Sequence, residues 1–192
     1  LHAQFPNLNF SVLGKAIWPE QSSIPVNAVM RHIQGSGGEQ FGYSDFTPNS
    51  TYDWRFFYTC NVSVKKSIVS DWLIDGFSTD FTAAGFEDGE FAYRMSKQLG
   101  DFKVFYAPSS VGKHLHHHDV RTFISRQTAC GRMAHRLIQK HPELLPALGI
   151  ASVNNAMNLA PERPLGQISD YTSAINGITS WARILESEQK LG

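Results

Sequence analysis

A mixed α/β fold, a sheet flanked by helices, is what this chain predicts, and three observations carry it. An aromatic and β-branched run at 54–64 is followed by helical apolar spacing at 65–74 and 87–99, then by a second strand-like run at 102–106. A strand, helix, helix, strand order of this kind packs helices on a mixed sheet. A long amphipathic stretch from Asp119 to His141 adds a further helix. At 192 residues, 42% apolar and 12% aromatic, the chain has enough apolar surface to form a hydrophobic core.

Taken in order, residues 1–20 alternate loosely through Phe5, Leu8, Phe10, Val12, Leu13, Ile17 and Trp18, which predicts one or two short strands ending at Trp18-Pro19. Val26, Val29, Met30 and Ile33 have helical spacing, with Pro25 in the first turn and Gly35 to Gly38 as the stop. Residues 39–55 are rich in Gly, Ser, Asp, Pro and Asn and read as a long loop. The run from Trp54 to Val64 reads as a buried strand. Ile68, Val69, Trp72 and Leu73 share one face of a helix over Lys65 to Ile74, ended by Gly76-Phe77. A helix over 87–99 closes at Gly100, and a strand over Phe102 to Tyr106 stops at Pro108. Asp119 then caps a helix that ends before Pro142, with Phe123, Gln127, Cys130, Ala134, Leu137 and Ile138 inward and Arg132, Arg136 and Lys140 outward. A proline-bearing break at 161–164 precedes a last amphipathic helix near 166–190. The organisation expected is a main domain over 1–150 and a C-terminal helical extension over 151–192.

Charge and cysteine usage narrow the partners. Lysine plus arginine and aspartate plus glutamate stand at 17 each, so no global field recruits nucleic acid. The two cysteines, Cys60 and Cys130, lie far apart and in no zinc spacing, which predicts free thiols in a reducing compartment. No run has the length of a membrane span and no signal-peptide pattern opens the chain, so a cytoplasmic protein is expected. The first residue is Leu1 rather than methionine, inside an apolar segment, and coding sequence is expected upstream.

The stretch Gly85-Phe86-Glu87-Asp88-Gly89-Glu90-Phe91-Ala92-Tyr93-Arg94 is the most informative. At 3.6 residues per turn Asp88 lines up with Ala92 and Met95, beside Phe91, while Glu87, Glu90, Arg94 and Lys97 form a charged stripe opposite. A carboxylate at the lip of an apolar face and at a helix N-terminus is placed as a general base is. Acids also cap helices as a matter of course, and Glu90 with Arg94 is an ordinary i,i+4 pair, so both readings stand. A second cluster, His114-Leu115-His116-His117-His118, follows the strand. Continued alternation would put His114, His116 and His118 on one side, able to reach a cation or a phosphate. The same histidines fit no standard zinc signature, and solvated loop histidines are the other reading. Trp18, Trp54 and Trp72 could stack on sugar rings or serve the core.

Asn61-Val62-Ser63-Val64-Lys65-Lys66, then Gly85-Phe86-Glu87-Asp88-Gly89-Glu90 with Arg94 and Gly100, then Tyr106-Ala107-Pro108 and a histidine after it, resembles the acceptor half of the inverting family 2 glycosyltransferases of GT-A fold. The resemblance runs from about Gly14 to Leu144, with Arg126-Gln127 and Gly131-Arg132 in support. It implies that Asp88 is the catalytic base, that Glu87 holds the acceptor, and that His114, then His116, completes the coordination of a divalent cation, Mn²⁺ or Mg²⁺; Asn61 and Trp54 are further acceptor-binding candidates, with a plain turn of the chain as the other reading of Asn61 and the core as that of Trp54. It further implies a nucleotide-sugar donor and a glycan, polysaccharide or lipid-linked acceptor. A peripheral contact with the inner face of a membrane is one reading of the arginine-rich face of helix 119–141; a solvated charged stripe is the other.

Departures qualify the resemblance. The family's nucleotide-binding strands and Asp-x-Asp motif precede the region seen here, and neither Asp88-Gly-Glu90 nor Glu186-Ser-Glu188 follows a buried strand. The expectation is therefore a GT-A-like sheet without its N-terminal nucleotide-binding strands. Gly76-Phe77-Ser78-Thr79-Asp80-Phe81 stands where a clearer aspartate or glycine pair would be. Two rival functions remain: a non-catalytic carbohydrate-binding or scaffold domain, and a metal-dependent hydrolase built on His114 to His118.

Overall fold

The computed structural model describes residues 2–4, 6, 9–19, 25–34, 43, 46–68 and 76–146. The chain divides into two compact units, Leu1–Ala134 and His135–Gly192. The first holds a four-stranded mixed sheet with helices, the α/β class expected and consistent with a partial GT-A-like domain. Its strands are β1 (Phe10–Ile17), β2 (Thr51–Tyr52), β3 (Val62–Val64) and β4 (Lys103–Lys113), in the order β2-β4-β1-β3. β1 and β4 are parallel, and β3 on β1 and β2 on β4 are antiparallel. Among the described residues the longer helices are α1 (Ala28–Gln34), α2 (Glu87–Leu99) and α3 (Val120–Lys140), the last running across the boundary between the units.

β1 forms where Phe10, Val12, Leu13 and Ala16 supply apolar side chains for both faces of the sheet. One face carries the main core, in which Leu13, Val104 and Tyr106 meet Met30 and Ile33 of α1, Phe91, Ala92 and Met95 of α2, and Ile68. Phe10, Val12 and Ala107, with Phe105 against them, make a smaller cluster. Asn27 caps α1 by accepting from the Met30 amide at 2.9 Å, so the helix begins after Pro25 rather than on it. α2 spans the residues its periodicity predicts and stops at Gly100, whose φ of 78° suits only a residue without a side chain. Asp119 caps α3 by accepting from the Thr122 amide at 2.7 Å, and Met133 joins the buried stripe that the spacing had drawn through Phe123 and Leu137.

Two expectations are corrected. Residues 54–64 are not one strand: two 3₁₀ turns, Trp54–Phe56 and Thr59–Asn61, precede the short β3. Their aromatic side chains fill the core rather than a pleated surface, with Phe57 buried against Phe91 and Phe102. β4 does not end at Pro108. It runs on to Lys113 because the ladder skips there: Gly14 pairs with Ala107 and Lys15 with Val111, leaving Pro108, Ser109 and Ser110 as an insert where proline's missing N–H costs no ladder bond.

The Asn61 amide pins that insert, donating to Lys15 O at 3.1 Å and Ser110 O at 2.9 Å. Gly14 has to lack a side chain, since a Cβ there would collide with the Asn61 amide and the Ser110 carbonyl. The second unit is described over 135–146, where α3 ends at Lys140 and Pro142–Leu144 form a 3₁₀ turn. The helix expected over 65–74 is helical at 66–68, and its remainder to residue 75 lies outside the described residues, as do the 150/151 boundary and the helix near 166–190. Gly14→Ala is expected to cost about 2 kcal/mol of stability in urea titration, in the range for overpacking a close contact. Adding Asn61→Ala is expected not to restore it, because the Ser110 carbonyl still blocks the site; full rescue would show that the amide alone sets the limit.

Candidate active site

The 100–102 turn folds the chain back from α2 into β4, with Phe102 N donating to Gly100 O at 2.7 Å. The N-terminus of α2 is linked through Thr59–Asn61 to Lys15 and Ser110, in the carboxyl halves of the parallel pair β1 and β4. In open α/β sheets the carboxyl edge is where ligands bind. The 3₁₀ turn Thr59–Asn61 ties the two together: Asn61 holds the β1–β4 insert, and the Thr59 amide donates to Asp88 Oδ2 at 3.3 Å.

Asp88 is half-buried in the first turn of α2, on the side its periodicity predicts. Its Oδ1 accepts from the Gly89 amide at 2.8 Å. Burial, and then the charge of Glu87, pushes its carboxyl above the usual carboxylate range, while the Thr59 and Gly89 amides hold it down. The phenol of Tyr58 is pushed up to about 12 by burial first and by the Asp88 charge second, which places Tyr58 among the groups facing the carboxylate. A carboxylate with raised basicity, kept from bulk water but able to ionise, is equipped to accept a proton from a hydroxyl. Thr59 and Tyr58 were not singled out from the sequence. Thr59 acts through its backbone, which leaves no side-chain signature.

The turn that delivers Asp88 is tightly built. Phe86 adopts a left-handed φ of 68° before the helix, a conformation that costs a residue with a Cβ about 1–2 kcal/mol. The preceding Gly85 has φ 127°, and a Cβ there would stand 2.9 Å from Cys130 Sγ on α3. Glu87 folds back so that its carboxylate accepts from the Gly85 amide at 2.5 Å. α3 thus backs the turn while Glu87 closes it from the front.

Glu90 and Arg94 depart from the expected exposed stripe. Glu90 is 0% exposed, and Arg94 Nε meets its two carboxylate oxygens at 3.0 Å each. Arg94 Nη2 also donates to Gly76 O at 2.5 Å, so the 76–81 segment covers that flank of α2. Helical periodicity places a residue on its own cylinder and says nothing of a loop laid over it. Arg94→Met is expected to cost about 3–5 kcal/mol, the toll of leaving a buried carboxylate unpaired, and adding Glu90→Gln to recover most of it. Denaturant titration checks both, and an Arg94→Met loss under 1 kcal/mol would show Glu90 to be otherwise compensated.

The remaining candidates fall into two groups. Trp54 is half-buried with its ring 5.1 Å from that of Tyr93 on α2, and Asn61 has its amide nitrogen committed to the β1–β4 insert. The histidines gather at the end of β4, where His114 N continues the ladder to Ile17 O at 2.9 Å. The His116 ring lies 5.9 Å from that of His114 and 4.5 Å from that of His118. Trp18 packs edgewise on His114 and His118, and Asn27 Nδ2 donates to His118 O at 2.6 Å. Arg126 faces this cluster from α3: after burial and the charge of His116, its charge helps lower His114 and His118, the latter to about 4. Its Nη1 donates to Gln127 Oε1 at 3.3 Å, and Arg132 is exposed further along the helix.

His114 and His118 are thus neutral near pH 7, the form that donates to a cation. His118 is 2% exposed, and its Nδ1 meets no hydrogen-bond partner among the described residues. Among those residues, however, no three His, Cys, Asp or Glu side chains are gathered to hold a metal ion. His114 and His116 are the side chains at this strand end that could contribute to holding a cation. No helix among the described residues is long and apolar enough to cross a membrane.

Comparison with known proteins finds two curated relatives. Over 124 residues the chain is 29% identical to a validoxylamine A glucosyltransferase of Streptomyces hygroscopicus subsp. jinggangensis (strain 5008), covering 65% of this chain and 28% of that protein. The protein of the same name from Streptomyces hygroscopicus subsp. limoneus is 29% identical over 124 residues, covering 26% of its length. The chain spans little more than a quarter of the length of these curated relatives. No family model and no solved structure matches it. The similarity is a distant one, to glycosyltransferases in general.

Proposed function

We propose that this chain is the acceptor-side part of an inverting glycosyltransferase of GT-A type, with Asp88 as its general base. The observation that carries the reading is Asp88 half-buried at the α2 N-terminus, bonded by the Thr59 amide of the turn that holds the carboxyl halves of β1 and β4, with its basicity raised by burial and by Glu87. The distant similarity to glucosyltransferases supports the class of reaction. In the step proposed, an Asp88 oxygen takes the proton of an acceptor hydroxyl as that oxygen bonds to the anomeric carbon. The bond from that carbon to the nucleoside diphosphate breaks on the opposite face, so the configuration inverts and no covalent enzyme intermediate forms. Glu87 lies beside Asp88 to orient the acceptor and to hold the base strength up. A divalent ion, Mn²⁺ or Mg²⁺, would neutralise the leaving diphosphate, with His114 and then His116 as this chain's ligands and Arg126 adding charge. The acceptor on this reading is a glycan, a polysaccharide or a lipid-linked sugar, and the exposed Arg121 and Arg132 suit work at the inner, cytoplasmic face of a membrane.

Nucleoside diphosphate release from a panel of nucleotide sugars, measured on the full-length protein with Mn²⁺ or Mg²⁺, tests this. Asp88→Asn is expected to lower transfer at least about 10²-fold, the usual worth of a general base. Transfer unchanged in a folded Asp88→Asn protein would end the proposal. The pH dependence follows from the sign of the shift. Because the base must be ionised, the acid limb of the rate profile should lie above the ordinary carboxylate range, and Glu87→Gln, which removes the second cause, should move it to lower pH.

Stability carries the opposite sign. A carboxyl whose native pKa is raised stabilises the fold only below the ordinary carboxylate range and loses that contribution as pH rises through the raised value. Asp88→Asn is therefore expected to melt at or above the wild type at pH 7; a drop of several degrees in calorimetry would show that the amide contacts outweigh the burial cost.

A further inference from the structure

We propose that Phe77 is a stacking platform for the ring of the acceptor sugar, an inference that rests on the transferase reading of Asp88 and names the acceptor subsite beside it. Phe77 is an aromatic held outward. It is 49% exposed, yet its ring is stacked on Phe91 with centroids 4.6 Å apart and planes at 28°. Phe91 lies one turn along α2 from Asp88, on the same flank, since residues three apart are neighbours on a helix. From Phe91 the contacts continue inward to Phe57, two residues before the Thr59 amide that binds Asp88. One face of the Phe77 ring is therefore committed to Phe91 while the ring as a whole remains half open to solvent.

The outward position is built rather than incidental. Gly76 turns the chain with a φ of 58°, and its carbonyl is held by Arg94 Nη2. Arg94 is in turn held by both oxygens of the fully buried Glu90 and lies 5.6 Å from the centre of the Phe91 ring. On the far side, Phe81 N donates to Ser78 O at 3.3 Å and Ser78 Oγ to Asp80 Oδ2 at 3.1 Å, closing a turn. An ion pair withdrawn from water is an expensive fastening for a loop that only covered a helix. It fixes a flat apolar surface before any ligand arrives, which spares the binding step the loss of side-chain freedom. The ligand chemistry that matches such a surface is a six-membered sugar ring, whose axial C–H face is apolar while its hydroxyls point sideways, one of them toward Asp88. Glu90 and Arg94 are positioning residues for this platform.

The test uses the full-length protein and ligand-observed saturation-transfer NMR with methyl glucopyranosides, galactopyranosides and mannopyranosides, with glycerol as the acyclic control. The wild type should transfer saturation to the ring C–H protons of at least one pyranoside and not to glycerol. Phe77→Ala should weaken that pyranoside about fivefold, the worth of one aromatic contact, while Phe77→Trp and Asp88→Asn keep it. Thermal midpoints confirm folding, and Phe77→Ser serves if the alanine variant is unstable. Equal saturation in Phe77→Ala and wild type, or none in the wild type, overturns the platform. The two proposals separate cleanly: loss of pyranoside contact in Phe77→Ala together with full transfer by Asp88→Asn keeps the platform and ends the base assignment. Transfer lost in Asp88→Asn with pyranoside contact untouched by Phe77→Ala does the reverse.

Discussion

The parallel pairing of β1 with β4, interrupted once and pinned at the interruption, is the constraint on which the rest depends. The insert Pro108 to Ser110 would leave carbonyls without ladder partners, and the Asn61 amide takes up two carbonyls there, from Lys15 and Ser110. That places the Thr59–Asn61 turn against the carboxyl half of the sheet, and the Thr59 amide then reaches Asp88. Gly14 and Gly112 are small where the amide approaches, so the pin and its socket belong together. A polar side chain that looks like an acceptor ligand in the sequence is, in the fold, what aligns the strands on either side of the candidate site.

Asp88 itself is held in tension. Burial and the neighbouring Glu87 favour its protonated form, and two backbone amides favour the anion. The result is a carboxylate more basic than one in water yet still ionisable, at a cost in stability that the left-handed turn at Phe86 adds to. Strain and unfavourable charge concentrated within a few residues are what functional sites accumulate and structural caps do not. These two features are what the proposed base rests on, beside the capping reading that the sequence left open.

Much of this was legible in the residues. α2 and α3 are long, periodic and bounded by Gly100, Asp119 and Pro142, so local signals and tertiary packing agree over their whole length. What was missed was non-local. The aromatics of 54–64 suggested a strand because aromatic content marks strands, but here Trp54 packs on Tyr93 and Phe57 on Phe91, contacts made across to α2 from 3₁₀ turns. Pro108 read as a stop because nothing local announces that Asn61, 47 positions away, would hold the chain through a skip in register. Glu90 read as exposed because the covering segment at Gly76 comes from outside the helix. At the site, Asp88 and the histidines were visible as side chains, whereas Thr59, which contributes a backbone N–H, was not.

The reading of Asp88 as a lone proton acceptor in a single displacement is tested most directly by the configuration of the product. ¹H NMR spectra of the transfer product report the anomeric configuration of the new glycosidic bond, which as an acetal does not mutarotate. An α-linked donor is expected to yield a β-linked product, and the signal should be lost with Asp88→Asn. A product that keeps the donor's configuration would contradict the single displacement and require a second nucleophile where this structure offers a base.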